Sequence, residues 1–259
     1  MNNAPIGFLD SGLGGASILR EALRILPTEN YIYYGDNLRA PYGDLSAEQI
    51  TAFTFESAEF LIGKGIKAIV IACNTATATC IDKIRKTFAL PVISVEPAIK
   101  PACSVPGEGK VIMVATVATT QLKRYLDLQR SMPDPGRILN IPCQGLVERI
   151  EQGIWAADAY DDLMDAYFSP YKGMQVDAIV LGCTHYIFIK EAFERYAKRN
   201  FTGAAKLYDG NVATVNQLGR ILQKNALENP HGSGQVEFFT SGDRARLEPL
   251  FAALIRQGT

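Results

Sequence analysis

Two stretches of this chain match each other residue by residue, and they constrain the fold more than any other feature. Ile66–Cys73 reads IKAIVIAC and Val176–Cys183 reads VDAIVLGC. Each is a short β-branched apolar run that ends in a small residue and then a cysteine. Runs with no polar alternation are strands buried on both faces, which is the pattern of a parallel sheet covered by helices. Chance is one account of the likeness, because buried strands of this class are all rich in Ile and Val. Duplication is the other, and the order of elements around the two strands favours it.

That order is strand–helix alternation, begun twice. The first half predicts strands at 6–9, 31–34, 68–72 and 92–95, with helices at about 15–26, 47–63 and 76–88. The second half predicts strands at 111–115, 138–142, 178–182 and 206–208. Its helices are expected at 119–128, within 145–171 and at 188–196. A tail adds a helix at 212–223, a strand at 236–240 and a helix at 244–257, and pattern alone does not say which sheet that strand joins. The expectation is an α/β protein of two domains, each a mostly parallel sheet flanked by helices. A chain of 259 residues has the length for two such cores. The breaker-rich stretch PAIKPACSVPGEG, residues 97–109, is the expected junction.

Composition narrows the function classes. Hydrophobic residues make up 47% of the chain and charged residues 20%, which are globular values and not those of a disordered segment. The 26 basic and 27 acidic side chains are interspersed, so no basic stripe marks a nucleic-acid binder. The longest apolar runs are too short to span a bilayer, and the opening MNNAPIGFLD has no basic segment ahead of an apolar one, so no signal peptide is expected. Five cysteines at 73, 80, 103, 143 and 183 have neither CxxC spacing nor a histidine pattern suited to zinc. A reducing, cytoplasmic location is expected.

Cys73 and Cys183 carry the functional reading. Each falls at the carboxyl end of a parallel strand, where open α/β sheets bind ligands. If the two strand ends face one another, two thiols look into one interdomain cleft. One thiolate and one thiol on opposite sides of an acidic C–H can remove a proton from one face and supply one to the other, which inverts a stereocentre. Buried structural cysteine is the alternative, and it is the expected role of Cys80, Cys103 and Cys143. A redox disulfide is a further possibility, although such pairs are usually close in sequence.

Other polar residues cluster at the same strand ends. LDSGLGGAS places Asp10 and Ser11 after the first strand, ahead of a glycine-rich helix entry that offers backbone N–H groups to an anion. It resembles half a dinucleotide fingerprint with Ser17 where the third glycine belongs, and Asp36 stands about where a ribose-binding acid would. No phosphate-cradling G-x-x-x-x-G-K-[ST] loop is present. Pro41-Tyr42-Gly43 forms a rigid turn presenting backbone donors, or is simply a good turn. ATVATT, residues 115–120, supplies hydroxyls at the equivalent end of the second half. His185 lies two residues beyond Cys183, where it could tune that thiol or serve as a satisfied structural histidine.

Taken together, the motifs resemble the aspartate/glutamate racemase superfamily, and within it the cofactor-independent glutamate racemases. The matching segments are DSGLGG (Asp10–Gly15), GDNLRAPYG (Gly35–Gly43), ACNTA (Ala72–Ala76), VEPAIKPA (Val95–Ala102), ATVAT (Ala115–Thr119), LGCTHY (Leu181–Tyr186) and FTSGD (Phe239–Asp243). They run in family order across nearly the whole chain, and ACNT with GCTH is the specific pair. Asn37 stands where the family commonly has threonine, and IFI follows CTHY where PLL is usual.

The resemblance implies a glutamate racemase that uses two cysteines and no cofactor or metal, acts on a small-molecule substrate, and supplies D-glutamate for peptidoglycan. It implies a homodimer, with no nucleic-acid or membrane partner. It implies domains at residues 1–97 with 208–259 and at 98–207. Cys73 and Cys183 would be the acid/base thiols, Asp10 would assist Cys73, and His185 with Glu151 (in VERIE) would assist Cys183. Ser11, Pro41, Tyr42, Gly43, Asn74, Thr75, Thr119 and Thr184 would hold the amino acid. The rivals are racemisation of aspartate or another acidic substrate, and, from another class, a non-catalytic small-ligand binding protein. A one-cysteine decarboxylase chemistry is disfavoured because both thiol positions are filled.

Overall fold

The computed structural model describes residues 3–257. The first two residues of the leader reading and the last two of the expected N-terminal domain lie outside that range. The chain divides into two compact units, Met1–Glu96 with Asn211–Thr259, and Pro97–Gly210. The junction falls at the start of the breaker-rich stretch, which also contains a short helix. The return falls after Gly210 rather than at 208 because the strand ending at Tyr208 pairs within the second unit.

The first unit contains β1 (Ile6–Asp10), α1 (Ala16–Ile25), β2 (Tyr31–Gly35), α2 (Ala47–Gly63), β3 (Ala68–Ile71), α3 (Asn74–Thr87) and β4 (Val92–Ser94). The second contains α4 (Ile99–Cys103), β5 (Lys110–Ala115), α5 (Val117–Gln121), α6 (Lys123–Arg130), β6 (Ile138–Pro142), α7 (Leu146–Glu151), α8 (Asp161–Phe168), β7 (Val176–Leu181), α9 (Lys190–Asn200) and β8 (Lys206–Tyr208). The tail returns to the first unit with α10 (Asn211–Lys224), β9 (Val236–Thr240) and α11 (Arg244–Arg256).

Every strand pairing is parallel. The first sheet has the order β4-β3-β1-β2-β9 and the second has β6-β5-β7-β8. Read from its other edge, the second is β8-β7-β5-β6, so in both units the third strand lies on one side of the first and the second strand on the other. This shared order supports duplication more strongly than strand composition could. The tail strand β9 joins the first sheet beside β2.

The reversal of direction between the first and third strands is a topological switch point. Right-handed crossovers to opposite sides put the connecting helices on opposite faces and leave a crevice at the carboxyl ends of those two strands. In the first unit α1 packs with α10 and α11, and α2 packs with α3. The central strands β1 and β3 are fully buried, and so are β5 apart from Lys110 and β7 apart from Asp177.

Several helices depart from the expected spans. The 119–128 segment is two helices, because Leu122 is extended (φ −70°, ψ 135°). The 145–171 segment is also divided: α7 stops at Glu151 ahead of Gly153, whose φ of 82° ends the helix in a left-handed residue. Among the described residues no helix is long and apolar enough to cross a membrane.

Candidate functional site

Both switch points carry a cysteine, and the backbone around each is built alike. In the first unit the Ala72 N–H donates to the Leu9 carbonyl (2.7 Å) and the Asp36 N–H to the Asp10 carbonyl (3.0 Å). In the second, the Gly182 N–H donates to the Val114 carbonyl (2.8 Å) and the Cys143 N–H to the Ala115 carbonyl (2.9 Å). Cys73 therefore corresponds to Cys183, and Ser11 to Thr116. The glycine ahead of Cys183 has a steric cause. A Cβ on Gly182 would lie 2.9 Å from the Val114 oxygen and closer still to the end of Met113.

The surroundings of the two sulfurs differ. Helix α3 begins at Asn74, two residues earlier than its periodicity indicates, so Cys73 is its N-cap. The Ala76 N–H points at the Cys73 Sγ (3.4 Å), and the Ser11 hydroxyl lies 3.5 Å from it. A helix N-terminus of fourteen residues with an aligned N–H favours negative charge on that sulfur. Asp10 is fully buried, and its Oδ1 accepts the Gly12 N–H at 2.9 Å, which fixes the turn that carries Ser11.

No α-helix starts at Cys183. A 3₁₀ turn, Thr184–Ile189, intervenes before α9. The bulky run YIFI stands after Cys183 where the small run ATAT stands after Cys73. The thiol is instead served by a side chain. His185 Nδ1 is 3.7 Å from the Cys183 Sγ, and His185 Nε2 is 2.6 Å from Glu151 Oε1. His185 is buried, and burial alone pulls an imidazole toward neutrality. The hydrogen bonds to Cys183 and Glu151 and their negative charges outweigh it, and the His185 pKa is raised well above the ordinary histidine value. Tyr186 holds the turn from beneath by donating to the Cys143 carbonyl (3.0 Å).

The remaining expected residues follow the carboxyl ends of β2, β3, β5 and β7. Asn74 and Thr75 occupy the buried first turn of α3, and the Asn74 Oδ1 is buried with no hydrogen-bond partner. An orphaned buried amide oxygen is costly unless a ligand or water meets it. Thr119 is buried beside Thr116, their hydroxyls 2.9 Å apart, and Thr184 is buried at the start of its turn. Pro41 precedes the 3₁₀ turn Tyr42–Asp44, whose own bonds use the N–H groups of Asp44 and Leu45. The Tyr42 ring is buried and its hydroxyl donates to Asp36 Oδ2 (2.7 Å), so what Tyr42 can offer a ligand is backbone.

Two expectations are corrected by the structure. Asp36 is not a free ribose-binding acid: it is fully buried, Tyr42 and Ser241 occupy its two carboxylate oxygens, and Arg39 lies beside it. Cys103 is half-buried, in contrast to Cys80 and Cys143, which are buried and donate to main-chain carbonyls. The segment FTSGD is legible as a motif, but the contact of its Ser241 with Asp36 is not, because the two are 205 residues apart. Among the described residues no group of three His, Cys, Asp or Glu side chains could hold a metal ion.

Residues 14–218 match the Asp/Glu/hydantoin racemase family. A curated glutamate racemase of Clostridium botulinum (strain Hall) is 41% identical over 242 residues, covering 93% of this chain and 93% of that protein. The crystal structure of glutamate racemase from Francisella tularensis in complex with D-glutamate superposes with a TM-score of 0.85 at 31% identity, over 99% of this chain and 95% of that one. The Escherichia coli glutamate racemase, solved with L-glutamate and the activator UDP-MurNAc-ala, gives a TM-score of 0.82 at 25% identity, over 97% and 95% of the two chains. On a family match that takes in both cysteines and on relatives of nearly equal length, the chain belongs to the Asp/Glu/hydantoin racemase family and is an isomerase of the racemase type.

Proposed function

We propose that this enzyme interconverts L- and D-glutamate by proton transfer at Cα, with Cys73 and Cys183 as its two acid/base groups. The observation that carries the proposal is the repeated switch point, which puts one buried cysteine at the carboxyl end of the third strand of each sheet. Glutamate as the substrate is supported by the relatives, whose named activity is glutamate racemisation and two of which were solved with one or the other enantiomer.

In this reading one turnover from D-glutamate begins with Cys73 as thiolate and Cys183 as thiol. Cys73 takes the Cα proton from one face, the electron pair delocalises into the α-carboxylate, and Cys183 gives its proton to the other face. L-glutamate leaves with Cys73 as thiol and Cys183 as thiolate, and the reverse reaction exchanges the roles. The different surroundings of the sulfurs suit this. Ser11 and the α3 N-terminus support charge on Cys73, with Asp10 fixing the Ser11 turn. Charge on Cys183 is met by the His185 imidazolium, which Glu151 holds in place. The Asn74 amide, Thr75, Thr119, Thr184 and the Pro41–Gly43 turn supply polar groups for the ammonium and the carboxylates.

Supply of D-glutamate to peptidoglycan belongs to the same proposal, supported by the muramyl nucleotide that activates the E. coli relative. A homodimer in the cytoplasm belongs to it on the family resemblance. The test is a circular-dichroism assay of purified enzyme on L-glutamate, D-glutamate and aspartate without added pyridoxal phosphate, metal or nucleotide. Loss of optical rotation from both glutamate enantiomers is expected. An inert enzyme on glutamate that turns over aspartate would move the assignment to an aspartate racemase, and absence of turnover on every acidic amino acid would favour a binding protein.

A further inference from the structure

The segment FTSGD in the tail has no role in the chemistry above, yet it is tied to the turn that the proposed function assigns to substrate. The Ser241 hydroxyl donates to Asp36 Oδ1 at 2.6 Å and accepts the Leu38 N–H at 3.1 Å. The Ser241 N–H donates to the Gly35 carbonyl (3.1 Å). Next to it the Thr240 hydroxyl donates to Asn37 Oδ1 (2.8 Å) and accepts the Gly242 N–H (3.0 Å). The other oxygen of Asp36 accepts the Tyr42 hydroxyl at 2.7 Å, and the Asp36 N–H is bonded to the Asp10 carbonyl. The carboxylate itself is fully buried.

We propose that Ser241 is a positioning residue for substrate: through the Asp36 carboxylate it fixes the Tyr42 ring and hence the Pro41–Gly43 turn. The physical basis is the cost of a buried carboxylate, which is tolerated when each oxygen has donors and otherwise seeks them by moving. With Ser241 holding Oδ1, Oδ2 faces Tyr42. Without it, Asp36 turns toward Arg39, 3.4 Å from Oδ2, and the tyrosine loses its fixed acceptor. The tail returns to the first sheet through β9, so this contact makes a distant segment part of the substrate-binding surface. The inference rests on the proposed binding role of the turn.

A turn that binds groups unchanged by the reaction contributes equally in the ground and transition states, so its displacement raises KM and leaves kcat. Ser241→Ala is therefore expected to raise KM for both glutamate enantiomers roughly tenfold, the equivalent of one hydrogen bond to a charged group, with kcat within about twofold and the melting temperature little changed. Ser241→Thr, which keeps the hydroxyl, should restore KM. Tyr42→Phe and Ser241→Ala should be non-additive in KM, because both act through one carboxylate.

Amide hydrogen exchange over residues 37–45 reads the positioning without any substrate, and Ser241→Ala should speed it there while β1 and β3 stay protected. Unchanged exchange in that turn, an unchanged KM in a folded variant, or loss of kcat together with global stability overturns the inference. Failure of the wild type to racemise glutamate overturns the functional reading instead, and the exchange measurement still decides whether Ser241 holds the turn.

Discussion

Glu151 Oε1 lies 2.6 Å from His185 Nε2, and the other nitrogen of the same ring faces the Cys183 sulfur at 3.7 Å. Carboxylate, imidazole and thiol thus form a chain in which the two acidic groups favour the protonated imidazole. At Cys73 the sulfur meets a serine hydroxyl and a helix N–H. The two halves share a backbone arrangement and differ in the groups that surround each sulfur.

The raised pKa of His185 has a consequence for stability. An unfolded histidine titrates near pH ~6.5, whereas the folded protein holds the proton to higher pH. The stabilisation is therefore fully present below about pH 6.5 and is lost as pH rises through the folded value. Urea unfolding of the wild type should show stability falling with pH above neutrality, and Glu151→Gln should flatten that dependence. With only two histidines in the chain, an NMR titration can follow His185 directly. A His185 titration that Glu151→Gln leaves in place would show that the carboxylate does not hold the charge.

Replacing either cysteine by serine should reduce racemisation in both directions by roughly 10²–10⁴-fold or more, the worth of a positioned acid or base. In the proposed mechanism each turnover uses one residue as base and the other as acid. Partial reactions separate the two roles. On an analogue whose β-leaving group departs after Cα deprotonation, Cys73→Ser should retain elimination from the L form and Cys183→Ser from the D form. Near wild-type racemisation by both variants would remove the thiols from the mechanism.

Glutamate should be preferred over aspartate by at least about 100-fold in kcat/KM. A site that pairs a distal carboxylate leaves polar groups unmatched when the side chain is one methylene short. Parallel assays on both acids measure the ratio, and similar values would point to a broader acidic-substrate racemase.

Gly182→Ala should destabilise the second unit by roughly 1–3 kcal/mol, the usual cost of overpacking. The new Cβ would press on the Val114 carbonyl and on Met113 in a buried strand. Because the next residue is Cys183, activity should fall along with stability. Denaturant unfolding of the variant, with kcat on each glutamate enantiomer, tests both effects; full stability would mean that β7 shifts freely at its carboxyl end.

The sequence by itself determined the class of fold and the places where chemistry could occur. Apolar runs such as AIVI and VDAIVL admit little but strands buried on both faces, and the repeated order around them led to two parallel sheets with a cysteine after each third strand. These are local properties, set by side-chain period and by the breakers that follow. The strand order, the sheet that β9 joins, the N-cap role of Cys73 and the proximity of Glu151 to His185 were decided only by the tertiary structure. Glu151 and His185 are 34 residues apart, and Ser241 and Asp36 are 205 apart. Such pairings arise because parallel strands are joined by crossovers that bring distant segments to the same sheet end, and a buried carboxylate takes whichever donor the packing delivers there.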